Sequence, residues 1–417
     1  MNPSPWLRPW RLASLVAASA LCLAVSAPPA WAQAPADGAP PSLKQALDAA
    51  WQRSIDAAES QGRQAKARAE QAAAQSWLAA PAAVSASQRE GRSGTPSGAR
   101  EPERGVALPL WGPGQPAAGG EASDAELAWA EAGEQAQRLR LAGQLREAAG
   151  ATQLAAVEAA QAQQQVETLR RLTDDVARRV QAGDLAPADL LAARAELLAA
   201  DAQLRSSQQA LQAQRAAWRL LTGFDAQPAE APAAVTPQDL PDSHPELRLA
   251  DAALELSQRR LALARLQRGE SPELSIGMRQ ERPGGAMPSQ NSVVVSLRMP
   301  FGGQAHQQPR IAAALADDEV ARAQQRRTRE RLATELTLAA EQARASQAQA
   351  ALERDRAALL RERAQLIDKS FRAGETPLPE LLRALGAAAL ADAASARQQA
   401  SHQLALARLQ QALGNLP

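Results

Sequence analysis

Two short stretches pair a glycine with acidic residues at matched spacing. Ala182-Gly183-Asp184 and Ala373-Gly374-Glu375 each place an acid beside a glycine, and Asp189 and Glu380 follow those glycines by six positions. A glycine there could end a helix in the left-handed conformation and let a second helical end approach closely. The acids six positions on could do one of two things. Repeated around an axis, they would make a ring of like charge that repels itself and attracts cations. Standing alone, they would be first-turn acids favoured by the helix dipole. Arg178, Arg179, Lys369 and Arg372 precede the glycines and suit a helix C-terminus. Other chemistry is sparse. His244, His306 and His402 are too scattered to form a histidine cluster by local spacing. A single cysteine, Cys22, allows neither a disulfide framework nor a cysteine metal site. The glycine-rich segment GPGQPAAGG (112–120) lacks the lysine of a phosphate loop and reads as a strand-to-helix linker. No serine stands in a nucleophile-elbow context. An enzyme is not expected, nor is a cofactor or a metal.

Composition sets the elements that must position these residues. In 417 residues, 46 Lys and Arg balance 45 Asp and Glu, which excludes the broad basic footprint of a nucleic-acid binder. Apolar residues make 45% of the chain but aromatics only 3%, with no Tyr, and mean hydropathy is −0.34. Ala and Leu interleaved with Gln, Arg and Glu favour long helices over a compact aromatic core.

The N-terminus reads as a targeting segment. Arg8 and Arg11 precede an apolar stretch over 12–25, and Ala30-Trp31-Ala32 is a small-x-small cleavage site. Residues 1–32 are therefore a predicted signal peptide. Cys22 follows Leu21, which is not the small residue that a lipid-attachment cysteine wants, so it reads as filler of the apolar stretch. Nothing after residue 33 offers about 20 consecutive apolar residues, so residence in a membrane would have to use β-strands.

The mature chain reads as an internal duplication. VQAGDLAPADLLAA (180–193) matches FRAGETPLPELLRA (371–384), with Gly183 and Gly374 set 191 positions apart. The same offset pairs Asp201 with Asp392, Gly223 with Gly414, Pro109 with Pro300, Glu90 with Glu281, and Pro81 with Pro272. Matched Gly and Pro at element boundaries are a stronger signal than matched Ala. The expected organisation is a first repeat over 33–223, a Pro/Ala-rich linker over 224–243 and a second repeat over 244–417.

Each half shows one order of elements: a helix (43–78; 245–268), two short strands, a long helix (121–182; 305–373), a glycine turn and a last helix (187–221; 377–413). Pro187 and Pro377 suit a first helical turn, where a missing N–H costs nothing. Thr376 is the expected N-cap of the second last helix, whereas Ala186 is a poor cap for the first. The long helices would reach about 100 Å, the length of a coiled-coil rod rather than a globular domain. In the strands, Leu274, Ile276 and Met278 alternate with polar residues, as do Val293, Val295, Leu297 and Met299. Val106, Leu108 and Leu110 keep the same parity. In the strand over 82–90 the outward positions are expected to be Ala83, Ser85 and Ser87. Such alternation fits either a soluble hairpin or a membrane barrel. Four strands cannot close a barrel, so several chains would have to share one.

This order, twice, behind a signal peptide, resembles the TolC-like outer-membrane efflux proteins. The resemblance rests on the tip motifs GDLAPADLL and GETPLPELL, and on PLWGPGQ (109–115), echoed by PFGGQ (300–304). Ser54-Ile55 stands where that family often carries Asn-Pro, while His244-Pro245 keeps the form. The resemblance implies a mainly α fold with a small membrane β part: a homotrimer with a periplasmic α-barrel tunnel and one shared twelve-stranded β-barrel. It implies that Ala182, Gly183, Asp184, Ala373, Gly374 and Glu375 dock a periplasmic adaptor protein, and that Asp189 and Glu380 line the periplasmic constriction. Further implied partners are an inner-membrane RND-type pump and outer-membrane lipid. PLWGPGQ resembles members serving heavy-metal cation efflux; drug efflux and type I secretion stay open. A soluble periplasmic coiled-coil adaptor is the competing class. It would carry one helical hairpin within more β sequence, which the duplication opposes.

Overall fold

The computed structural model describes residues 40–90, 100–226, 239–267, 270–282, 288–301 and 304–417. The predicted signal peptide and most of the linker lie outside the described residues. The elements in chain order are α1 (Leu43–Arg53), α2 (Ile55–Ala74), β1 (Ala83–Glu90), β2 (Arg100–Pro109), α3 (Gln115–Ala182), α4 (Pro187–Thr222), α5 (Pro245–Leu266), β3 (Glu273–Glu281), β4 (Gln290–Arg298), α6 (Gln304–Arg372) and α7 (Leu378–Ala412).

Local chemistry explains most boundaries. The Ser42 hydroxyl accepts the Gln45 amide and the Gln45 side chain accepts the Ser42 amide, a capping box that starts α1. The helix expected over 43–78 is broken at Ser54 and ends at Ala74. Ser54 adopts an extended conformation, its hydroxyl donating to the Trp51 carbonyl and accepting the Ala57 amide. A serine side chain that bonds its own backbone competes with helix continuation and caps a new start. The long helix of the first repeat begins at Gln115, six residues before the expected start. Pro116 sits in its first turn, where the absent N–H has no partner to lose. Thr376 is not the N-cap of α7; Pro377 holds that place, and the Thr376 hydroxyl donates to Ser370 Oγ at 2.6 Å.

Each level of the molecule is four elements wide and open at both sides. The strands form one antiparallel sheet in the order β1-β2-β3-β4. Next to it the helices run α2–α3–α5–α6. Gln71 Nε2 donates to Asp124 at 2.7 Å, Arg259 pairs with Glu121 at 2.8 Å, and Gln325 Nε2 donates to Asp251 at 2.7 Å. Farther along, the order becomes α4–α3–α7–α6. There Trp218 packs on Leu141 and Leu145, Arg408 holds Glu147 bidentately at 2.6 and 2.7 Å, and Arg361 reaches Asp392 at 2.5 Å. One side is thus bordered by β1, α2 and α4, the other by β4 and α6. Among the described residues these two borders do not meet.

Core residues are strung along the rod in separate clusters, many of them alanines. Small side chains let long helices pack closely along their length. At mid-length, buried Arg146 donates to the Gln411 side chain and to the Asn415 carbonyl at 2.8 Å, tying α3 to the end of α7. Burial depresses its guanidinium to about 10.

Candidate functional site: paired helical tips and an apolar sheet face

The two glycine turns are built alike. The Asp184 amide donates to Arg179 O at 2.9 Å and the Gly183 amide to Val180 O at 3.1 Å; Glu375 and Gly374 repeat this with Ser370 O and Phe371 O, both at 3.0 Å. This is the Schellman arrangement, which needs a positive φ at the glycine. Gly183 has φ 86° and Gly374 φ 80°, and a Cβ at either would meet nothing within 4 Å. Ala182, Gly183, Asp184, Ala373, Gly374 and Glu375 are all exposed.

The fold brings the two tips to one end of the molecule. Val176, Ala193, Phe371, Leu378 and Leu381, from α3, α4, α6 and α7, share one buried cluster. Arg179 crosses between the repeats, its guanidinium 5.0 Å from the Phe371 ring centroid and 3.4 Å from the Phe371 carbonyl. It also pairs with Asp175 at 3.2 Å, while Arg178 pairs with Asp175 at 3.1 Å and Arg372 with Asp368 at 2.8 Å. The sequence reading did not pick out Phe371. The available signal was rarity: it is one of three phenylalanines in the chain.

The two candidate constriction acids differ. Asp189 is half-buried and its carboxylate accepts the Ala186 amide at 3.3 Å, so it closes the start of its own helix. At the matching place in α7 stands Pro377, which has no amide to offer. Glu380 is exposed and its carboxylate makes no hydrogen bond or ion pair with any described residue. Around the other tip acids, Glu375 accepts from Ser370 Oγ at 3.3 Å. Among the described residues no three His, Cys, Asp or Glu side chains gather as a metal site.

The sheet carries the second feature. Val84, Val106, Ile276 and Val295 stand side by side across all four strands, and Leu108, Leu274 and Leu297 make the next row. These side chains share one face and are largely in the open: Val84 is 84% and Val295 65% exposed. The opposite face holds Ser85, Ser87, Ser275, Ser292 and Ser296, and a Glu103–Arg279 pair at 2.9 Å. The parity expected for β2, β3 and β4 is present. In β1 it is reversed: Val84 and Ala86, not Ala83, Ser85 and Ser87, lie on the apolar face. The ladder pairs Val84 with the row of Ile276, a spacing of 192 rather than 191, and a slip of one residue turns a whole strand over. No described helix is long and apolar enough to cross a membrane.

The outer borders of the helical layer are apolar as well. On α6, Leu338, Leu352, Leu359 and Leu366 fall at multiples of seven and are 59, 71, 68 and 58% exposed. On α4, Leu191 and Leu198 are likewise seven apart and exposed. Seven-residue spacing is the seam of a coiled coil.

The architecture has close counterparts among solved structures. The outer membrane protein VceC of Vibrio cholerae superposes with a TM-score of 0.69 at 18% identity, over 89% of this chain and 96% of that one. The CmeC outer membrane channel of Campylobacter jejuni gives 0.69 at 15%, over 89% and 85%. The chain has the TolC-like outer-membrane channel fold. The open-state MtrE outer membrane channel of Neisseria gonorrhoeae shares that fold at 0.66 and 17%, over 90% and 89%. No family model matches the sequence, and no curated protein does. Within the TolC-like fold, the paired tips and the sheet occupy opposite ends of the helical layer.

Proposed function

We propose that this chain is the outer-membrane exit duct of a tripartite efflux system, working as a homotrimer in the Gram-negative envelope. The observation that carries this is the pair of unmatched borders. β1, α2 and α4 on one side and β4 and α6 on the other leave strand edges unpaired and leucine seams exposed. An unpaired strand edge cannot stand in lipid, and heterologous pairing of border to opposite border closes a ring. Three copies would give twelve strands in one barrel, with the apolar face toward lipid and the serine-rich face toward a wet lumen. The likeness to channel structures supports the same reading.

In this arrangement the helices extend into the periplasm and the tips mark their far end. Ala182, Gly183, Asp184, Ala373, Gly374 and Glu375 would receive the hairpin ends of a periplasmic adaptor. Glu380, with its free carboxylate, is the stronger constriction acid; Asp189 is engaged at its own helix start. The duct would pass substrate from an inner-membrane RND pump, and PLWGPGQ favours heavy-metal cations as cargo.

Fractionation and bilayer recording test the reading together. The mature protein should be found in the outer membrane as a heat-modifiable trimer that conducts ions in planar bilayers. A stable, water-soluble monomer would overturn it. For the cargo, deletion should sensitise cells to heavy-metal salts; sensitisation to drugs alone would replace metals by drugs.

A further inference from the structure

The apolar face of the sheet is interrupted on its loop side by arginines. Arg104 lies on the same face as Val106 and Leu108, with Ala86 opposite on one strand and Met278 on the other. Its side chain is exposed and makes no hydrogen bond or ion pair with any described residue. Arg100, four residues earlier, and Arg282 stand opposite each other on this face. Arg100 has a loose contact with Glu90 at 3.6 Å, and Arg282 spends one N–H on the neutral Gln280 side chain at 2.9 Å. Among the described residues, three arginines on this face meet one carboxylate. Four strand residues separate Arg104 from Arg100 by about 13 Å, so positive charge begins beside the apolar rows and continues above them.

A cation on a lipid-facing strand is unfavourable unless it reaches the interface or meets an anion. An arginine can lay its stem along apolar neighbours and lift its guanidinium to a phosphate, which it holds bidentately. The surface required is apolar below for acyl chains and cationic above for phosphorylated headgroups. That combination discriminates a lipid from a free anion, which has no use for the rows of Val and Leu.

We propose that Arg104, Arg100 and Arg282 form a binding site for a phosphorylated outer-leaflet glycolipid of the lipid A class, repeated around the barrel. This rests on the barrel reading, in which the apolar face meets lipid and the loop side faces outward. The site anchors the barrel's outer rim in its membrane.

The mature trimer in nanodiscs is titrated with bisphosphorylated lipid A, with the same lipid dephosphorylated, and with inorganic phosphate. Bisphosphorylated lipid A should bind, and more weakly as salt is raised. Arg104→Gln should weaken it about fivefold, and Arg100→Gln, Arg104→Gln and Arg282→Gln together on the order of a hundredfold. Arg104→Lys, which keeps the charge but loses the bidentate fork, should weaken it less than Arg104→Gln does. If Arg104→Gln binds like wild type, or the dephosphorylated lipid binds as well as the bisphosphorylated one, the proposal is overturned. Equal competition by inorganic phosphate would also overturn it, marking a plain anion site. A fluorophore on Val295→Cys separates the two levels. Quenching by brominated lipid with arginine-independent binding removes only this proposal; absence of quenching removes the barrel reading beneath it.

Discussion

Asp189 and Glu380 occupy equivalent places in the repeat yet have different work to do. Asp189 accepts an amide at the start of α4, while Pro377 leaves Glu380 with nothing to accept. Asp189→Ala should therefore cost about 1 kcal/mol of local helix stability and leave ion selectivity nearly unchanged. Glu380→Ala should cost only the helix-dipole share, a few tenths of a kcal/mol, and reduce the cation preference of the open channel. Melting curves and reversal potentials in planar bilayers distinguish them; equal selectivity shifts in both variants would contradict the division. His244 allows a second test. Its Nδ1 accepts the Glu246 amide at 3.2 Å, which needs the neutral ring. Burial pushes its pKa below the usual imidazole value, with Arg331 acting the same way and Glu246 and Glu335 opposing. The unfolded chain then takes up a proton near pH 6.5 while the folded chain does not. Stability is thus retained above that pH and lost as pH falls below it. His244→Asn, whatever its absolute melting temperature, should show a flatter pH dependence between about 7 and 5 than wild type. Parallel curves would show that His244 contributes nothing to acid sensitivity.

At the scale of elements, punctuation decided what the sequence could disclose. Gly183 and Gly374 announced both turns, and alternation announced three of four strands, because each depends on residues next to one another. The break at Ser54 was harder to see, since a serine between Ala-rich stretches reads as a tolerated helix residue. Its hydroxyl bonds to Trp51 O at 2.8 Å and to the Ala57 amide at 3.1 Å, contacts that exist only once the chain has turned. Ser54→Ala should lower stability by about 1 kcal/mol, whereas Ser54→Asp should hold near wild type because it still caps α2. Thermal melts of the purified protein check this; an unchanged Ser54→Ala melt would mean that packing around Trp51 fixes the break. In β1 the sequence points Ala83, Ser85 and Ser87 outward, whereas pairing puts Val84 and Ala86 on the apolar face, and pairing is a tertiary fact. The meeting of Arg179 with Phe371 was hidden for the same reason, lying 192 residues apart.

The whole molecule is a sector with two unlike borders, and its assembly should follow from that difference. On the α4 border Leu191 and Leu198 are exposed; on the α6 border Leu352 and Leu359 are. Burying one such leucine contributes roughly 1.5–3 kcal/mol, so replacing two by charge should abolish the seam without unfolding the chain that already exposes them. A chain carrying Leu191→Glu and Leu198→Glu keeps only its α6 border; one carrying Leu352→Glu and Leu359→Glu keeps only its α4 border. If closure is heterologous and the leucine seams drive it, neither variant can assemble alone, because each lacks one half of that seam. Mixed, they still have one intact α4 border and one intact α6 border between them. Native mass spectrometry in detergent should then find monomers of each alone and a two-chain complex in the mixture, never a closed ring. Homodimers of either variant would show that like borders pair with like, and a ring from either alone would show that the leucine seams are not what joins the copies.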